Sequence, residues 1–217
     1  MKPLIVANWK CNPTTLKEAE SLLDSIEKGI KNIKNAEVVI CPPFVYLPVL
    51  KTTGTQDVFW GDSGVYTGHV SPLMLKNMGV KYVIIGHSER RKHCHETNEM
   101  IFKKIQAALT QGLKPILCID KISQLPATLN KEVIVAYEPL FAIGTGKPCS
   151  PERAKKMRLA IELAIGGANP ILYGGSVNSQ NAHDYVCQAG FQGLLVGGAS
   201  LKPKEFIDIV KNVCYSE

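Results

Sequence analysis

Eight short, apolar, mostly β-branched runs recur along the 217-residue chain: Leu4–Lys10, Glu37–Pro43, Asp57–Asp62, Tyr82–Ser88, Pro115–Asp120, Val133–Pro139, Pro170–Ser176 and Gly193–Ser200. They read as continuous apolar stretches rather than alternating ones, the mark of parallel strands covered on both faces. Most of the intervening segments carry helical patterns with proper ends. Thr15-x-x-Glu18 is a capping box opening a helix with Leu16, Ala19, Leu22, Leu23, Ile26 and Ile30 on one stripe. Ser71-Pro72 and Ser150-Pro151 each read as an N-cap followed by proline at the first helical position. Gly112 and Gly166 stand where C-terminal caps belong. Strand alternating with helix means an α/β protein. Eight units without a break in composition predict a single closed (β/α)8 barrel over residues 1–217, in preference to a doubly wound sheet.

One unit departs from the pattern. Only Lys121–Glu132, 12 residues including Pro126, separates the fifth run from the sixth. A parallel crossover needs about a dozen residues at least, so at most one or two helical turns fit, and the fifth crossover helix is expected to be shortened or missing. The total length agrees, being below the roughly 250 residues typical of such barrels.

Composition narrows the class further. The chain is 45% hydrophobic and 20% charged, which is ordinary for a globular protein and excludes disordered and collagen-like readings. Seven scattered cysteines without a CxxC pair indicate neither a disulfide framework nor a zinc knuckle. Cys41, Cys118 and Cys187 lie in apolar runs and are expected to act as small buried hydrophobes. A reducing compartment follows. The N-terminal apolar run is too short for a signal peptide, and no apolar stretch reaches about 18 residues. The protein is therefore expected to be cytoplasmic, with no membrane partner. The net charge of +6 lies within the range of about 2 to 8 normal for solubility. With no basic stripe interleaved with aromatics, nucleic acid is excluded as a partner, while a small anionic substrate fits. His93-Cys94-His95 is no metal site, because consecutive helical positions point in different directions.

In a barrel of this kind the site lies at the C-terminal ends of the strands. Those ends read Asn8-Trp9-Lys10, Gly86-His87-Ser88-Glu89, Tyr137-Glu138-Pro139, Gly174-Gly175-Ser176 and Gly197-Gly198. Singly, each is an ordinary loop residue or turn. Together they gather a cation, an amide, an imidazole, a carboxylate and two glycine-rich turns on one face. The glycine turns follow the seventh and eighth runs, where barrels commonly hold phosphate, and glycine lets backbone N–H groups approach an anion. Ala142-Ile143-Gly144-Thr145-Gly146-Lys147 follows Glu138 and reads as a mobile lid.

The segments Ala7-Asn8-Trp9-Lys10, Gly86-His87-Ser88-Glu89-Arg90-Arg91, Ala136-Tyr137-Glu138-Pro139, Ala142–Lys147, Tyr173-Gly174-Gly175-Ser176-Val177 and Leu195-Val196-Gly197-Gly198-Ala199-Ser200 resemble, in order and over nearly the whole chain, the triosephosphate isomerase family. That resemblance implies a TIM barrel, a homodimer and an aldose–ketose isomerase of glycolysis and gluconeogenesis. Its reaction interconverts dihydroxyacetone phosphate and D-glyceraldehyde 3-phosphate through an enediol(ate), with no cofactor and no metal. The family is itself a standard case of pKa tuning. By the resemblance Glu138 is the base, neutral His87 the electrophile, Lys10 a fixed positive charge and Asn8 a neutral donor, the last two also binding substrate. Gly144, Ser176, Gly197 and Gly198 would grip the phosphate. Glu89 would orient Lys10, and Ser88 would partner Glu138 when the lid is open. Closing Pro139–Lys147 would protect the enediolate from phosphate elimination.

Three features depart from the family pattern. Phe141 stands where tryptophan is usual in the lid hinge, keeping bulk but losing an N–H donor. The loop Val65-Tyr66-Thr67-Gly68-His69 has His69 in place of glutamate, and Gly61-Asp62-Ser63-Gly64 before it is short. In the family this loop docks into the second subunit, so a weakened dimer interface is expected. Cys118-Ile119-Asp120-Lys121 matches only as far as isoleucine. A catalytically inactive phosphate-binding barrel is the alternative reading, but it has no use for an intact base and electrophile. An aldolase needs a Schiff-base lysine in a strand interior, and none of the runs carries one.

Overall fold

The computed structural model describes residues 2–167 and 169–214. Eight parallel strands, β1 (Leu4–Asn8), β2 (Glu37–Cys41), β3 (Gly54–Thr55), β4 (Tyr82–Ile85), β5 (Lys114–Ile119), β6 (Ile134–Tyr137), β7 (Ile171–Tyr173) and β8 (Gly193–Val196), form one sheet in the order β2-β1-β8-β7-β6-β5-β4-β3. The two end strands, β2 and β3, come side by side and nearly close the barrel. A Cβ on Gly54 would lie 2.5 Å from Val39 Cγ1 and 2.6 Å from Cys41 Sγ, so only glycine allows this approach. Gln56 Nε2, just past β3, donates to Cys41 O and Lys10 O at 2.8 Å each, stitching the seam. The fold is the expected (β/α)8 TIM barrel. The third strand is misplaced in the sequence reading: it is Gly54–Thr55, not Asp57–Asp62. The apolar Val58 and Phe59 lie beyond it, buried under the loop that follows.

Alternation along each strand divides the core in two. Leu4, Val6, Val39, Cys41, Tyr82, Ile84, Ile116, Cys118, Ile134, Ala136, Leu172 and Leu195 pack together inside the barrel. Their neighbours Ile5, Ala7, Val83, Ile85, Val135 and Leu194 face outward and join the helices' apolar faces. Those helices are α1 (Leu16–Ile30), α2 (Leu47–Leu50), α3 (Pro72–Asn77), α4 (Ser88–His93), α5 (Asn98–Thr110), α6 (Pro151–Ile165) and α7 (Pro203–Cys214). The Thr15–Glu18 capping box forms, Ser71 and Ser150 cap α3 and α6, and Gly166 ends α6 in a left-handed conformation. Cys41 and Cys118 are buried as expected, whereas Cys187 is exposed, on the outside of a short π-helical turn at Asp184–Gln188. Among the described residues no helix is long and apolar enough to cross a membrane.

The fifth crossover holds a single 3₁₀ turn, Ile122–Gln124. Side chains take over what a helix would supply. Gln124 exchanges hydrogen bonds with Asp120, and Asn169 Nδ2 donates to Asn130 O and Val133 O. Leu125 and Leu129 pack against the outer core.

A buried ionic cluster fixes α4 in place. Lys104 Nζ of α5 lies 2.7 Å from Asp57 Oδ1 and 2.5 Å from Glu96 Oε1, while Arg90 of α4 reaches Asp57 Oδ2 at 2.8 Å and Glu96 Oε1 at 2.6 Å. Burial pushes the Glu96 carboxyl up, but Lys104 and Arg90 outweigh it and hold its pKa below the ordinary value; for Asp57 burial wins and the pKa is raised. Glu96 therefore contributes stability that is present above the ordinary carboxyl pKa and is lost as pH falls through its depressed value. Removing the ammonium by Lys104→Met leaves two buried carboxylates sharing one guanidinium. Urea denaturation should show a loss of about 3–5 kcal/mol.

Candidate active site

The alternation that fills the barrel also builds its mouth. On β1 the inward positions are Leu4 and Val6, and the next is Asn8. On β6 they are Ile134 and Ala136, followed by Glu138. Beyond Leu172 and Leu195 the same step reaches Gly174 and Gly197. These glycines make room: a Cβ on Gly174 would lie 3.0 Å from Glu138 Cγ, and one on Gly197 3.4 Å from Lys10 Cε. The carboxylate and the cation thus occupy space that two strands leave empty.

Lys10 leaves β1 with φ +55, a left-handed conformation that lysine rarely adopts. Its peptide is held from both sides, by Asn8 Oδ1 accepting its N–H at 3.0 Å and by Gln56 donating to its carbonyl. Its Nζ pairs with Glu89 on α4. Gln56 carries no sequence signal, since it follows a polar stretch and its partner is 46 positions away.

His87 caps α4, its Nδ1 accepting the Glu89 N–H at 3.2 Å, and its Nε2 lies 3.2 Å from Glu138 Oε1. Burial, the largest influence, lowers the pKa of the ring, and the Glu138 and Glu89 carboxylates together raise it by more, so on those charges alone it would stand above the ordinary imidazole value. The Glu89 N–H opposes this. An imidazolium carries a proton on Nδ1 and has no lone pair there to accept it, and the start of a helix disfavours positive charge. The hydrogen bonding corresponds to the neutral tautomer, with Nε2–H donating to Glu138. The carboxylate also meets the buried Cys118 thiol, whose pKa it helps burial to raise, and its Oε2 is sealed from solvent. Ser88 opens α4 and lines a small cleft with Glu138.

Asn8, Lys10, His87, Glu138, Gly144, Ser176, Gly197 and Gly198 all line one cavity of about 300 Å³. Glu89 stands outside it, behind Lys10. Gly198 begins a 3₁₀ turn, Gly198–Leu201, and a Cβ there would meet nothing within 4 Å. The lid is docked over this end. Gly146 N–H donates to Ser176 Oγ at 3.2 Å, Ser176 Oγ donates to Ala142 O, and Cys149 N–H donates to Tyr173 Oη at 3.2 Å. Tyr173, already visible within the Tyr-Gly-Gly-Ser turn, holds the far end of the lid. The cavity therefore sets a fixed cation, a neutral imidazole and a carboxylate at one end, and glycine-rich backbone at the other. Such a site can move a proton next to a carbonyl while holding an anion.

The family model described as Triosephosphate isomerase matches residues 3–213. A protein named triosephosphate isomerase from Thermoanaerobacter sp. (strain X514) is 40% identical, the match covering 96% of this chain and 98% of the relative. One of the same name from Dehalococcoides mccartyi (strain CBDB1) is 41% identical over 97% and 96%. Another, from Dictyoglomus thermophilum, is 40% identical over 97% and 99%. The first alignment runs over 246 positions, more than the chain's 217 residues, so that relative carries segments absent here.

Nitrogen-15 NMR of the imidazole checks the His87 tautomer. At pH 7 Nδ1 should resonate as an unprotonated nitrogen and Nε2 as a protonated one; two protonated nitrogens would show that the pull of Glu138 prevails.

Proposed function

Because the chain belongs to the triosephosphate isomerase family, we propose that residues 1–217 form one catalytic barrel domain that interconverts dihydroxyacetone phosphate and D-glyceraldehyde 3-phosphate. The observation that carries this reading is the gathering of Glu138, held by His87 Nε2, with Lys10 at one end of a cavity whose other end is lined by Gly144, Ser176, Gly197 and Gly198. A carboxylate beside a neutral imidazole, with a cation and an anion-sized glycine-lined end in the same cavity, is what proton transfer on a phosphorylated carbonyl compound requires.

In this reading Glu138 takes a proton from one substrate carbon and returns it to the next. Neutral His87 donates from Nε2 to the substrate oxygens, and Lys10 offsets the charge developing on the enediolate. Asn8 helps hold that oxygen, and Glu89 orients Lys10. Gly144, Ser176, Gly197 and Gly198 bind the phosphate, whose remote binding energy favours the docked lid. Ser88 receives Glu138 when the lid lifts. These groups account for an isomerase better than for an inactive phosphate-binding barrel, which needs neither the carboxylate nor the imidazole.

The cellular setting extends the same reading. Exposed free thiols at Cys11 and Cys94 suit a reducing cytoplasm, and the reaction belongs to glycolysis and gluconeogenesis. The loop at 61–69 presents Val65, 98% exposed, and Tyr66, which supports a homodimer docked through it. His69 lies 4.0 Å from Phe59, ring on ring, and lacks the charge of the family glutamate, so the dimer is a weak one.

A coupled assay with glyceraldehyde 3-phosphate tests the chemistry. Glu138→Gln should lower kcat by about 10²–10⁴-fold with KM little changed, and Glu138→Asp should lose less. Equal turnover by the glutamine variant removes Glu138 as the base. Sedimentation over a concentration series should reveal a monomer–dimer equilibrium, and a monomer at every concentration defeats the dimer reading.

A further inference from the structure

Phe141 is the middle residue of the 3₁₀ turn Leu140–Ala142 that opens the lid, and at 46% exposure it is an aromatic side chain nearly half in water. The guanidinium of Arg153 lies over its ring, Cζ 4.6 Å from the centroid. Arg153 belongs to the first turn of α6, and its backbone N–H donates to Ser150 Oγ at 3.4 Å. Ser150 is the N-cap of that helix, three residues past the end of the lid at Lys147. The contact therefore joins the two ends of the segment 139–150. Thr145 Oγ1 donates to Phe141 O at 2.9 Å, which ties the tip of the lid to the same hinge residue.

From this juxtaposition we propose that Arg153 is a positioning residue for lid closure, acting through Phe141 and contacting no substrate. The argument is differential. α6 is capped at both ends and keeps Arg153 fixed, whereas Phe141 belongs to the segment that moves. The ring lies under the guanidinium in the docked arrangement, and a hinge movement that lifts the lid would carry it away. An interaction made in only one of two states shifts the equilibrium by its full strength. A cation over an exposed ring is worth roughly a two- to fivefold shift. Arg153 thus biases the lid toward the arrangement in which Gly146 and Cys149 are bonded to Ser176 and Tyr173. Its role in catalysis rests on the isomerase reading; its effect on the lid does not.

The test uses the full chain and two readouts. Hydrogen–deuterium exchange of the 139–150 segment follows lid docking without any reaction, and the coupled assay, together with inorganic phosphate released per turnover, follows its catalytic consequence. Arg153→Gln and Phe141→Leu should each speed exchange in this segment about two- to fivefold, leaving exchange elsewhere unchanged. The double variant should be no faster than either single one, and Arg153→Lys should recover much of the protection. In the assay the same variants should lower kcat and raise phosphate release by a comparable factor. Unchanged exchange in Arg153→Gln, additive effects of the two substitutions, or faster exchange throughout the chain would overturn the proposal. Wild-type protein without isomerase activity but with this exchange pattern would count against the isomerase reading and leave the lid contact standing.

Discussion

A strand buried on both faces has to satisfy two sets of neighbours at once. In this barrel the even positions of β1, for example, fill the interior, while the odd ones seat the helices. The same two-residue step delivers Asn8, the last residue of β1, and Glu138, the first residue past β6, to the mouth. It also removes side chains at Gly174 and Gly197, so that the carboxylate and the ammonium have room. The site is thus the top layer of the core with its packing exchanged for chemistry. That is why Asn8 and Glu138 sit at strand ends anchored in the core, while the segment 142–147 reaches over the mouth from outside it.

The seam and the ionic cluster carry the rest of the positioning. Gly54 brings β3 onto β2, and Gln56 turns that closure into a grip on the Lys10 peptide, so sealing the barrel and holding a strained lysine are one act. On the neighbouring side Lys104, Asp57, Glu96 and Arg90 lock α4. α4 in turn presents the N–H that sets the His87 tautomer and the carboxylate that faces Lys10. The missing fifth helix interrupts neither arrangement. Its duties are structural, and Gln124, Asn169 and two leucines discharge them.

Much of this is legible in the sequence, for identifiable reasons. Seven strands announce themselves because β-branched residues pack on both faces. The third does not, since Gly54 and Thr55 are strand residues only by contact with β2, and the louder apolar run beside them belongs to a loop. The strand-end residues can be read because the topology alone brings them to one face. Lys104 is illegible: a lysine on a helix reads as solvated, and only the fold sets it between two carboxylates. Gln56 and Arg153 are hidden for a related reason, as each acts on a partner that chain order does not bring near. The interior placement expected of Cys187 fails because its run lies in a π-helical turn, where the register of buried positions differs from that of a strand.

Ser176 holds a φ of +48 and uses its hydroxyl twice, accepting from Gly146 and donating to Ala142. An oxygen with one proton has a single choice of whom to serve, and here the lid claims both directions. A ligand's anion approaching this turn therefore meets Ser176 through its backbone, with the side chain already spent on the cover. Cover and turn are thereby fastened to each other: uncovering this end of the cavity means breaking both bonds of the Ser176 hydroxyl together with the one that the Cys149 N–H donates to Tyr173.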